Sequence, residues 1–351
     1  MATPLTTRQW SLAAYPSGTP TLSGPEPTFK LETVELPQLQ DGQVLVKIQY
    51  ISNDAGLRTY IGCSVDNDRM YVPPVPLGEP MRAGMIGEVL ESKSPKFKVG
   101  DIVHETHRAP WAEKVVINDS DIQALAPLPG GLSNIHYMGA FGGTGLTAYV
   151  GLLHIAQAKK EHTIVVSAAA GATGSMVIQI AAKILGAKRV VGIAGGAEKC
   201  SWVVEHLGAH ACVDYKSPTF KEDLKAATPD EVDIFYDNVG GAVLDETLAR
   251  MKRHSLVAVC GAVSGYNSSE PMTLRNWFEV VSQRITLKGF FLFDYLDQIP
   301  AAMEQLVAAA VDGRINLNIE EVPATIEGVP QVWIDMYTGS AKGKVITKLE
   351  G

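Results

Sequence analysis

The chain has 351 residues, long enough for two ordinary domains or one large one. Hydrophobic residues make up 46% and charged residues 19%, the composition of a soluble globular protein. The net charge of -8 is spread along the chain without a basic run, which argues against a nucleic-acid partner.

The opening stretch MATPLTTRQWSLAAYPSG lacks the continuous apolar core of a secretory signal, and a cytoplasmic protein is expected. Up to about residue 135, short β-prone runs at 44–50, 87–90, 101–104 and 114–117 are separated by turn signals such as Asp41-Gly42 and Val99-Gly100-Asp101. That pattern predicts a compact, mostly β domain. His104 and His107, the one His-x-x-His pair, follow a predicted strand with no third ligand evident nearby, so no metal site is expected. The four cysteines, Cys63, Cys200, Cys212 and Cys260, lack close metal-ligand spacing and read as free thiols in a reducing compartment.

From about Met138 the chain changes character. Strands are predicted at 163–168, 189–194, 233–236, 256–260 and 285–292, with helical patterns such as 174–185 and 199–207 between them. Alternation of this kind makes a parallel sheet covered by helices. A last helix over about 297–312 precedes a β tail, Gly343-Lys-Val-Ile-Thr-Lys-Leu, which is expected to rejoin the first domain.

One segment, VVSAAAGATGSMVIQIAAKILGA (165–187), raises a choice. The uncharged run from Thr163 to Ala182 is long enough to cross a bilayer, but its order argues otherwise. β-Branched residues come first, then small residues and glycine, then helical spacing at Met176, Ile180, Ala181 and Ile184. The reading is strand, tight turn, helix, with no membrane span. In a dinucleotide cradle the glycines of such a turn allow, in order, a tight bend, close approach to pyrophosphate, and close packing of helix on strand. Here Ala169-x-Gly171-x-x-Gly174 has alanine in the first place, and a helix opening at Gly174-Ser175 would aim unpaired N–H groups at phosphates.

The second strand decides between cofactors. An NAD site carries Asp or Glu near that strand's end to accept the ribose 2′-OH. RVVGIAGG (189–196) ends in glycines instead; Lys199 follows, and Tyr215 ends the next short strand. Room at Gly195 for a 2′-phosphate and charge at Lys199 favour NADP, with Glu198 an awkward neighbour.

Six blocks in order then carry a family likeness: MRAGMIGEV (81–89), GGTGLTAY (142–149), IAGGAEK (193–199), DNVGG (237–241), CGAVSGYN (260–267) and GFFLFDY (289–295). Over nearly its whole length the chain resembles the medium-chain dehydrogenase/reductases, within them the zinc-free, NADP-dependent alkenal double-bond reductases that include leukotriene B4 12-hydroxydehydrogenase. The resemblance implies a Rossmann-type, doubly wound parallel sheet domain (138–317) inserted in a mostly β, GroES-like domain (1–137 and 318–351), and a homodimer. It also implies roles by position. Gly171, Ala172, Thr173, Gly174 and Ser175 would line the pyrophosphate, with Gly195, Lys199 and Tyr215 at the 2′-phosphate. Asn238, Cys260, Gly261, Ala262, Val263, Ser264, Phe290, Phe291 and Leu292 would border the ribose and nicotinamide. Two positions depart from the family pattern. Gly56, in NDAGLR (53–58), replaces a tyrosine that faces substrate, and Ala341, in SAKGK (340–344), replaces a cofactor-contacting asparagine.

Zinc-dependent relatives need Cys and His ligands, but Cys63 is the sole cysteine of the first domain and LGEP (77–80) stands where Gly-His-Glu would be. Conjugate reduction suits a metal-free site. NADPH would deliver hydride to the β-carbon of an α,β-unsaturated carbonyl, and a hydrogen-bond donor would stabilise the enolate oxygen that results. Tyr266, on the loop after the strand ending at Cys260, is the candidate donor, with cofactor ribose hydroxyls as the alternative source. A quinone reductase on the same scaffold and a non-catalytic NADPH-binding protein are the competing readings.

Overall fold

The computed structural model describes residues 4–62, 69, 70, 72–339 and 341–351; Cys63 and Ser340, both singled out above, lie outside the described residues. β1 (Thr6–Leu12) pairs with β2 (Phe29–Glu35) as an antiparallel ribbon. β3 (Gln43–Ser52), β4 (Arg82–Ser92), β5 (Ile102–Pro110), β6 (Lys114–Asn118) and β7 (Gln123–Ala124) build an antiparallel sheet around β3 and β4. Its apolar face includes Val44, Val46 and Ile48, spaced by two as a half-buried strand requires.

The second half alternates. α1 (Gly143–Tyr149) leads to β8 (Thr163–Val166), α2 (Ala172–Gln179), β9 (Arg189–Ala194), α3 (Ala197–Glu205) and β10 (Ala211–Asp214). Then come α4 (Phe220–Ala227), β11 (Val232–Asp237), α5 (Gly241–Leu248), β12 (Met251–Val259), α6 (Phe278–Ser282), β13 (Thr286–Gly289) and α7 (Ile299–Val311). The strands make one parallel sheet in the order β10-β9-β8-β11-β12-β13. All four residues of β8 are buried, because helices cover both faces of the sheet. The order reverses between β8 and β11, which opens a crevice at their C-terminal ends.

The tail returns to the first sheet. β14 (Ile319–Ala324) lies parallel to β15 (Lys344–Leu349), and β15 pairs antiparallel with β3. Between them α8 (Val329–Asp335) inserts Trp333 beside Phe29 and Trp111, with the two indole centroids 5.6 Å apart. The fold is therefore a Rossmann-type sheet inserted in a mostly β domain.

Several predicted elements change in detail. The strand expected at 285–292 stops at Gly289, since Leu292 turns into the core and opens a 3-10 turn, Leu292–Gln298. The helix expected at 174–185 is α2 followed by a π turn, Ile180–Leu185, that closes on left-handed Gly186. β12 begins five residues before the predicted 256. His104 and His107 lie within β5, not after a strand; they stack on Tyr137 at 5.9 Å and Phe293 at 5.2 Å respectively. The long uncharged run is β8, its turn and α2, and no described helix is long and apolar enough to cross a membrane.

Candidate active site

The glycine turn leaves β8 through Ser167 and Ala168. Ala168 takes φ +48°, a left-handed conformation that a methyl-bearing residue rarely adopts, so the bend falls one residue before the alanine in the fingerprint's first place. Gly171 is the N-cap of α2 and offers no side chain to its first N–H groups. A Cβ on Gly174 would stand 2.2 Å from the Ala168 carbonyl oxygen, so here glycine is dictated by close packing. Gly174 and Ser175 are accordingly buried, and the Ser175 hydroxyl donates to the Ala172 carbonyl at 3.1 Å. Ala172 and Thr173 are left half-buried at the turn, where orphan amides and the positive helix end would suit an anion. The tail fastens the turn from outside: the Gly343 N–H donates to the Ala170 carbonyl at 2.9 Å.

The corner beyond β9 gathers Gly195, Lys199 and Tyr215. An acid does stand near, but it comes from β10 and is already engaged. Asp214 Oδ1 accepts the N–H groups of Gly196 at 2.8 Å and Lys216 at 2.9 Å, tying the two strand ends together. Lys199 is half-buried, and burial, reinforced by Lys216 and Lys342, holds its ammonium below the usual lysine range. Tyr215 is 47% exposed, with Lys216 Nζ 5.9 Å from its ring centroid. Gly195 is crowded rather than open: a Cβ there would meet the Tyr215 ring at 2.9 Å, so an aspartate would have to displace that tyrosine. Glu198 is bonded to Lys342, its Oε1 2.6 Å from Lys342 Nζ, and exerts a weaker attraction on Lys199.

At the crevice one buried carboxylate joins the ends of β8 and β11, and the backbone carbonyl of the same residue, Asp237, accepts the Cys260 N–H at the end of β12 at 2.8 Å. Asp237 accepts from the Ser167 hydroxyl at 2.8 Å and from the N–H groups of Val239 and Gly240. Burial pushes its pKa up. The Asn238 amide donates to the Ser167 carbonyl at 2.8 Å, leaving its oxygen and its second N–H for a ligand. The segment from Cys260 to Ser264 is laced to the β11 turn, with Val263 N–H on the Asn238 carbonyl at 3.2 Å and the Ser264 hydroxyl on the Val239 carbonyl at 2.6 Å. Cys260 is half-buried, and desolvation of its thiol pushes it up to about 11 against the lowering effect of a hydrogen bond with Tyr236, which makes it a packing group. The Tyr266 hydroxyl folds back over this segment, 3.4 Å from Ala262 N, and would lie 3.3 Å from a Cβ on Gly261. Phe290 packs edge-on to Tyr236 and Leu292 is buried, so the 290–292 stretch offers the crevice its backbone.

Three features have no signal in the sequence. The Ser167–Asp237 link joins residues 70 apart, which no local pattern reveals. Arg58 is buried and donates to Asn267 Oδ1 at 2.9 Å, coupling the 3-10 turn Ala55–Ile61 to the Tyr266 loop. The Glu198–Lys342 pair crosses between the two halves. Gly56 has open space around its Cα, so the missing tyrosine leaves room. Among the described residues no three His, Cys, Asp or Glu side chains cluster as a metal site would need.

A helix end facing the crevice, a lysine-rich corner and a second sheet closing beside them define a two-domain dinucleotide-binding protein. A family model described as the N-terminal domain of oxidoreductase matches residues 8–125, and one described as zinc-binding dehydrogenase matches 172–309. The chain is 35% identical to the NADPH-dependent curcumin reductase of Escherichia coli (strain K12), covering 98% of this chain and 97% of that one. It is also 35% identical to prostaglandin reductase 1 of Bos taurus, over 97% and 98%. The crystal structure of CurA in complex with NADPH from Vibrio vulnificus superposes with a TM-score of 0.88 at 30% identity, over 98% and 99% of the two chains. The protein belongs to the zinc-independent medium-chain dehydrogenase/reductases, in the group of alkenal and prostaglandin reductases.

Proposed function

We propose that the protein reduces the carbon–carbon double bond of α,β-unsaturated carbonyl compounds with NADPH, without a metal. The observation that carries this reading is the Tyr266 hydroxyl, held over the ends of β11 and β12 beside a cradle that lacks the NAD-type acid on β9. When bound, NADPH supplies the hydride for the β-carbon of the substrate. Ala172 and Thr173 would hold the pyrophosphate, Lys199 and Tyr215 the 2′-phosphate, and Asn238 with the 260–264 segment the ribose and nicotinamide. Tyr266 would donate its hydroxyl proton in a hydrogen bond to the carbonyl oxygen as that oxygen gains charge.

The same reading includes a cytoplasmic homodimer. The free thiols of Cys200, Cys212 and Cys260 suit a reducing compartment. β13 is an edge strand, and beside it Trp277, Phe278 and Val281 expose apolar side chains, Phe278 at 73%. A panel of enals, enones, quinones and alcohols, each followed by NADPH oxidation or NADP reduction with product identification, tests the activity. Saturated carbonyl products are expected; turnover confined to quinones, or nucleotide binding with no turnover, would overturn it.

A further inference from the structure

Lys342 stands just before Gly343, whose hydrogen bond to Ala170 and bridge to Gly171 pin this part of the tail across the glycine turn. From there the side chain reaches the other half of the molecule. Its Nζ lies 2.6 Å from Oε1 of Glu198, on the first turn of α3 and one residue before Lys199. The Glu198 side chain is 85% exposed, whereas that of Lys342 is 31% exposed.

Three ammonium groups therefore share one corner: Lys199 from α3, Lys216 after β10 and Lys342 from the tail. Lys199 feels both of the others as like charges. The acids facing them are few. Glu320 acts on Lys199 from β14, Glu198 holds Lys342 and acts more weakly on Lys199, and Asp214 commits one oxygen to two backbone amides. Cations gathered by folding repel until an anion joins them, and a dianion relieves more of that repulsion than a single carboxylate.

We propose that Lys342 is a specificity-determining residue for the nucleotide 2′-phosphate, and that Glu198 is its resting partner, which gives up the ammonium when the phosphate arrives. This rests on the reading that the cradle takes NADPH. It also gives the two members of one ion pair opposite effects. Removing Lys342 takes a cation from the phosphate. Removing the Glu198 charge frees that cation and deletes a repulsive neighbour. A bridge that only clamped the two halves together would make both losses act in the same direction, and on every nucleotide.

The test is direct binding of NADPH, NADH and 2′,5′-ADP to the full chain by titration calorimetry. The proteins are wild type, Lys342→Met, Glu198→Gln and, as reference, Lys199→Met. Lys342→Met should weaken NADPH and 2′,5′-ADP by about 3- to 10-fold and leave NADH unchanged, while Glu198→Gln should tighten the phosphorylated pair by about 2-fold. Equal weakening by both variants, or a loss shared by NADPH and NADH, would overturn the proposal in favour of a clamp. If Lys199→Met loses the preference for NADPH but Lys342→Met keeps it, Lys342 has no part in specificity. A wild type that binds NADH as tightly as NADPH would instead overturn the cofactor reading itself.

Discussion

Tyr266 and Lys199 carry the chemistry of the proposed reaction at its two ends. Replacing Tyr266 by Phe deletes one hydroxyl and keeps a ring that is half-buried on its loop. Loss of one oxyanion donor costs about 10²–10³-fold in kcat, and ribose hydroxyls that share this role place the expected loss near the lower figure. Single-turnover rates should show that fall while NADPH affinity changes by less than about 2-fold. An unchanged rate with chemistry limiting would return the tyrosine to packing. Lys199 makes a pH prediction. Its pKa is lowered, chiefly by burial, so its charge is lost at a lower pH than an ordinary lysine's. NADPH affinity should fall as pH rises through that lowered value, while NADH affinity stays level. On the acid side the 2′-phosphate takes up a proton near about pH 6, which also weakens its bond to the lysine. The ratio of NADPH to NADH affinity should therefore peak between these limits, and a ratio that stays flat from below about pH 6 up through the ordinary lysine range would remove Lys199 from the phosphate.

Among the elements, the turns after β8 and β11 depend on Asp237. Its carboxylate accepts three protein donors in a nearly dry site, so Asp237→Ala strands them at a cost of about 3 kcal/mol. Urea unfolding should show that loss, and nucleotide binding should weaken because Asn238 and Ser167 lose their shared anchor. A midpoint within experimental error of wild type would mean solvent replaces the carboxylate. This level also separates what sequence reveals from what it hides. β8, β9 and β11 are legible because parallel strands buried on both faces read as apolar runs. β1, TTRQWSL, and β14, IEEVPA, are polar enough to pass for loop, and only pairing with distant strands makes them β. The glycine turn and the missing acid after β9 are visible as residue types at fixed spacing. The Asp214 tie and the Glu198–Lys342 pair are not, since each depends on which way a side chain turns in three dimensions.

At the scale of the molecule, polar links between the two halves among the described residues include Arg58 to Asn267, Lys342 to Glu198, and Gly343 to Ala170. The edge beyond β13 is where the proposed dimer would make its contact. Phe278→Asp puts a charge into that apolar surface and should convert the proposed dimer to monomer in light scattering, with NADPH binding retained because Phe278 is not among the residues assigned to the cradle. A wild type that is already monomeric would overturn the dimer. The return of β15 to β3 has a consequence for biosynthesis. Ribosomes make the β3 strand some 290 residues before its neighbour, about 15–60 s at ordinary elongation rates. Throughout that interval the end of β3 that β6 leaves uncovered, Tyr50–Ser52, is an open edge, and the glycine turn lacks the strap from Gly343. Nucleotide bound before the tail arrives would meet a glycine turn without its strap, and the exposed edge is the place where a chaperone would find the nascent chain.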